Sequence, residues 1–151
     1  MIRFGLILLA VSQGAAGLIQ LFAPKFFYDD FPTSATPWVS LLPPYNEHLM
    51  RDVGALTLAY VLVLTTAAIW PEPKLVRVAL AANLMFTVPH FVFHATHLGH
   101  YPTGSAIAQT ITLGLAVLIP ATLLVLSVKL STTDAVIHRQ DQHPGNVGPT
   151  R

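Results

Sequence analysis

Apolar residues are gathered into four long runs: Ile2 to Ala23, Val53 to Trp70, Leu75 to about Leu98, and Gly104 to Val128. Each holds about 18 to 25 residues, the length a helix needs to cross roughly 30 Å of hydrocarbon. None shows the strict alternation of a barrel strand, which is also about half as long. In lipid the backbone must satisfy its own hydrogen bonds, so apolar runs of this length read as helices. The pattern predicts an all-α, four-helix transmembrane bundle, with helices at about 2–23, 50–70, 75–98 and 104–129 inside a domain of residues 1–130. The polar segment 131–151 contains Pro144, Gly145, Gly148 and Pro149 and is expected to be a disordered cytoplasmic tail.

The punctuation between runs supports this division. Trp70-Pro71-Glu72-Pro73 is a tight stop and restart, because proline removes a backbone donor and crowds the preceding turn. Gly99-His100-Tyr101-Pro102 is an equally short connection, with Gly99 expected as a helix C-cap. Short connections predict that the second, third and fourth helices are antiparallel neighbours. The first connection is long and aromatic, with Phe26, Phe27, Tyr28, Phe31, Trp38 and Tyr45 among several prolines, and is expected to anchor at the interface. Pro89 and Pro120 fall inside the third and fourth runs and should bend them. The first run, Arg3 followed by an apolar stretch and small residues at Gly14–Gly17, has the outline of a secretory signal. Its continuation through Leu18, Ile19, Leu21 and Phe22 reads instead as a retained span.

Charge sets an expected orientation. Arg3, Lys74, Arg77 and Lys129 flank one side, while Lys25 and Arg51 are the basic residues of the other, beside Asp29, Asp30, Glu47 and Asp52. The positive-inside rule then predicts both termini in the cytoplasm of a multi-pass protein. Composition agrees with the pattern: the chain of 151 residues is 53% hydrophobic and 10% charged. Average soluble domains carry about 25% charged residues. The net charge of +1 provides no basic stripe for nucleic acid, so the expected partners are the lipid bilayer and either a membrane-protein partner or a second copy. With no cysteine, thiolate chemistry and Cys-ligated metals are excluded.

Five of the seven histidines fall near one membrane level. His90, His94 and His97 occupy i, i+4 and i+7 of the third helix, one face of it, and His100 follows in the turn. Asn46-Glu47-His48-Leu49-Met50-Arg51-Asp52 opens the second helix, pairing Glu47 with Arg51 and His48 with Asp52 at i, i+4. Antiparallel packing should bring the two groups to a common level near the outer face. Asn83 and Thr87 lie below on the third helix, Gln109 on the fourth, and Gln13 and Gln20 on the first. Ionisable groups inside a span cost a few kcal/mol each and are usually compensated.

Three compensations fit the residue types. One is a metal site, with His90, His94, His97 and Glu47 as ligands, supported by His48, Arg51 and Asp52, and zinc, iron or copper as the ion. Another is a proton relay or a polar ligand pocket. The last is structural: ion pairs and imidazole–carboxylate hydrogen bonds that lock the second helix to the third. The corresponding functions are metal-dependent redox or hydrolytic chemistry on a membrane-soluble substrate, or a non-enzymatic accessory role in a membrane complex.

The four-run plan, with Glu47, Arg51, Asp52 and Gly54 opening the second helix, resembles the DoxX-like small bacterial membrane proteins over Ile2 to Leu130. The histidine stripe has no counterpart in that pattern. The resemblance implies the helical fold, a bacterial plasma membrane as its site and, by fold analogy alone, an accessory or redox-associated role.

Overall fold

The computed structural model describes the backbone of residues 1–142 except Pro43, and side chains as far as Val128. Five helices follow one another: α1 (Ile2–Phe22), α2 (Pro24–Asp30), α3 (Glu47–Ile69), α4 (Pro73–Thr96) and α5 (Thr103–Gln142), with a 3₁₀ turn at Leu98–His100 before α5. Four of them, α1, α3, α4 and the Thr103–Val128 part of α5, are long and apolar enough to cross a membrane. No strand occurs among the described residues. The large apolar side chains left exposed, among them Phe4, Leu56, Met85, Ile111 and Leu118, lie on these helices. Such a surface is stable against hydrocarbon and not against water.

Several boundaries differ from expectation. Helix α3 begins at Glu47 because Asn46 caps it, its Oδ1 accepting the Leu49 N–H at 3.1 Å. Helix α4 ends at Thr96, and Gly99 is no left-handed cap: the Leu98–His100 segment tightens into 3₁₀ geometry, and no described residue has a positive φ. The aromatic connection holds the short helix α2, started by Pro24 at its first position. There Phe27 stacks on Phe31 at 4.4 Å, and Phe31 meets Trp38 edge-on at 6.3 Å. On its exposed face the Asp29 carboxylate bonds Lys25 and holds that ammonium above its ordinary range. Helical backbone continues to Gln142, past Ser131, where a disordered tail was expected to start; residues 143–151 lie outside the described residues.

Helix α1 packs most extensively on α3, and α4 on α5; the two pairs then join less closely. The intimacy of the first pair comes from small residues. A Cβ at Gly54 would sit 2.6 Å from the Leu21 backbone nitrogen, and one at Gly17 would sit 2.9 Å from Thr57 Cγ2. Only glycine lets the backbones approach so far. Contacts Gln13–Tyr60, Gly17–Thr57 and Arg51–Leu21 run in opposite chain directions, so α1 and α3 are antiparallel. Arg77–Ser127 and Phe91–Gly114 show the same for α4 and α5.

Two halves result. Around the chain's N-terminus, the α3–α4 connection and the C-terminal part of the α5 span, the interior is Leu6, Leu9, Ala10, Leu64, Ala67, Ala68, Val76, Ala79, Leu80 and Leu123. Leu6, Leu64 and Leu80 are completely buried. From mid-span toward the other end the interior turns polar, through Gln13, Tyr60, Asn83, Thr87, His90, His94 and Gln109.

Candidate functional site

The charged opening of α3 faces α1 and the exterior. Arg51 donates to Glu47 Oε1 from Nε at 2.9 Å and from Nη2 at 2.8 Å, and its Nη1 donates to the Leu21 carbonyl at the end of α1. The last carbonyls of a helix lack intrahelical partners, so a guanidinium placed there satisfies one and complements the helix dipole. His48 and Asp52 pair at 3.1 Å, with 87% and 56% of their side chains exposed.

None of these four residues bonds a histidine of α4 among the described residues. The reason is a divergence of helices. Contacts between α3 and α4 run from the Leu64–Leu80 level up to Tyr60 and Phe86, whose rings lie 5.7 Å apart. Beyond that level Leu56 is 70% exposed. Glu47 is thus not brought to His90, His94 and His97, and His48, Arg51 and Asp52 do not support them. Among the described residues no group of three or more His, Asp or Glu side chains converges on a point that could hold a metal ion.

The histidine stripe itself divides. His90 and His94 stay on the inner face, edge to face at 4.6 Å. They extend a line of rings: Tyr60 beside Phe86, Phe86 stacked on His90 at 5.3 Å, and His94 at 6.4 Å from Tyr101. The Tyr101 hydroxyl lies 3.4 Å from His94 Nδ1, a long contact for a hydrogen bond. His97 leaves the stripe because α4 ends at Thr96. Its ring stacks on Phe93 at 4.2 Å, and its Nδ1 donates to the Phe93 carbonyl at 2.7 Å.

The inner face of α4 carries Asn83, Thr87, His90 and His94 at i, i+4, i+7 and i+11, a stripe about 16 Å long at 1.5 Å per residue. Asn83 is fully buried and donates from Nδ2 to Gln13 Oε1 at 2.9 Å. The same Gln13 oxygen accepts the Tyr60 hydroxyl, so α1, α3 and α4 meet at one atom. Thr87 satisfies its hydroxyl on the Asn83 carbonyl at 3.0 Å. Gln109 comes from α5, is 1% exposed, and lies beside His94 and Tyr101. Burial pushes the Tyr101 hydroxyl above its ordinary range, and the Gln109 amide works against that shift.

Two buried atoms in this half have no hydrogen-bond partner, Gln13 Nε2 and Asn83 Oδ1, and the Gln109 amide makes no hydrogen bond of ordinary geometry, only polar contacts with His94 and Tyr101. A buried polar atom left unpaired costs about 1–3 kcal/mol. The free donor belongs to α1 and the free acceptor to α4, about 10 Å along the helix from His90, while Gln109 of α5 lies beside His94. Tyr60 and Tyr101 are members that sequence reasoning missed. A tyrosine inside an apolar run was the available signal for the first, since its hydroxyl must find a partner.

No family model, curated protein or solved structure matches the chain.

Proposed function

We propose that this multi-pass membrane protein uses the polar half of its bundle as a binding site for a small membrane-soluble molecule with a hydrogen-bonding head group. His90 and His94 sit at its centre and Gln109 above them. The supporting observation is the incompletely satisfied polar set of Gln13, Asn83 and Gln109. A guest with both a donor and an acceptor would satisfy them, and the histidines would take or give its proton. The apolar half blocks a continuous polar path, which favours a dead-ended site over a conduit. The asymmetry of basic residues supports both termini in the cytoplasm, so the site would open outward.

A zinc, iron or copper ion in this site ranks lower. The carboxylate expected to complete the set with His90 and His94 is engaged by Arg51. A second reading has its own observation. Gln13 Oε1 joins three helices, so the polar half also works as glue in an accessory subunit, held to a partner protein or a second copy.

Native mass spectrometry of protein extracted in mild detergent tests the binding reading, with elemental analysis of the same sample. The expected result is a small organic molecule retained by wild type and released by His94→Leu and by Gln109→Leu. Bare protein in every sample supports the accessory reading, and a stoichiometric metal lost with His94→Leu restores the metal site.

A further inference from the structure

His97 and His100 do not belong to the interior site, yet both are held in a defined state. His97 Nδ1 faces the Phe93 carbonyl at 2.7 Å, and His100 Nδ1 faces the His97 carbonyl at 3.2 Å. A carbonyl oxygen only accepts, so in each neutral ring the proton resides on Nδ1 and the lone pair on Nε2. Neither Nε2 has a partner among the described residues. The rings lie 6.1 Å apart at an interplanar angle of 27°. Both line one groove of about 430 Å³, whose other walls are Leu41, Leu42 and Phe93.

We propose that His97 and His100 form a two-imidazole site for a late first-row divalent cation, bound through both Nε2 atoms with water completing the shell. Ligating histidines characteristically donate their other ring N–H to a carbonyl or carboxylate, which fixes the tautomer and raises basicity. Both rings already have that support from backbone carbonyls. A metal bonded at about 2.0 Å to two imidazole nitrogens sets their ring centres roughly 5–6 Å apart, close to the 6.1 Å between these two rings. Imidazole suits copper, nickel and zinc, and copper(II) binds tightest in that series. The apolar walls shield one side of the ion, and the groove leaves the other side open to exchange.

The site is separate from the one centred on His90 and His94, and the test keeps them apart. Copper(II) is added at one equivalent to full-length protein in which His48, His138 and His143 are alanine, and nitrogen hyperfine splitting is read by electron paramagnetic resonance. The expected spectrum shows two equivalent imidazole nitrogens. His97→Ala and His100→Ala should each abolish that pattern, whereas His90→Phe should leave it intact. Zinc added in excess should displace the copper. A one-nitrogen spectrum, no binding, or a two-nitrogen spectrum that survives either His97→Ala or His100→Ala overturns the proposal. So does loss of the pattern in His90→Phe with its fold retained.

Discussion

The two halves of the bundle are built from the same four helices and obey opposite rules. In one, leucines and alanines from α1, α3, α4 and α5 make up the core, with Leu6, Leu64 and Leu80 fully buried. Arg77, which bonds the Ser127 carbonyl, is the one polar intrusion there with a buried unpaired Nε among the described residues. In the other, the same helices contribute Gln13, Tyr60, Asn83, His90, His94 and Gln109, whose buried amides are incompletely hydrogen-bonded. A bundle selected for stability alone has no reason to leave them so. Helix association in lipid rests mainly on packing and interhelical hydrogen bonds. The apolar half supplies the packing, and the polar half gives up part of the hydrogen bonding. The contrast separates an apolar base from a polar half whose hydrogen bonding is incomplete.

The comparison breaks most readily by damaging the base. Leu80→Ala should cost about 2–5 kcal/mol of stability, since it opens a cavity where no side chain can collapse inward. Unfolding in a mixed micelle titrated with denaturing detergent reads this directly. A loss under 1 kcal/mol would mean the leucine cluster is not the base. Gln109→Leu should cost far less, at most about 1 kcal/mol, because the buried amide makes no hydrogen bond of ordinary geometry, and any bound guest should be released. A clear destabilisation would show that Gln109 is structurally satisfied. The smallest effect belongs to the charged rim. Glu47→Gln should change stability by about 0.3–0.5 kcal/mol, because an exposed i, i+4 pair contributes little. A larger loss, measured in the same titration, would return Glu47 to the interior network.

The sequence carried the spans well, because hydrocarbon thickness fixes helix length and the Trp70–Pro73 stop is chemically unambiguous. It also marked Asn83, His90, His94 and Gln109, since polar groups in apolar runs are costly. It carried part of the helix pairing: α4 lies against both α3 and α5, as the short connections predicted, but nothing in the connections showed that Gly17 and Gly54 draw α3 most closely onto α1 over a much longer one. That pairing directs Arg51 to the end of α1 and takes Glu47 with it, so the expected carboxylate–imidazole centre is not assembled. His97 misled for a local reason: helical spacing holds only while the helix lasts, and α4 ends one residue earlier. Helix α2 was hidden because its seven residues lie in an aromatic, proline-rich connection with no long periodic pattern.

The most direct test of the division reads hydration in the folded protein without any substitution. In lipid bilayers, solid-state NMR magnetisation transferred from water should reach the side chains of Gln109, His94 and His90 quickly. It should reach the methyl groups of Leu9, Leu64 and Leu80 only after slow spreading through the protein. Equal, slow transfer to both sets in ligand-free protein would contradict the account, because the polar half would then be as dry and closed as the base beneath it.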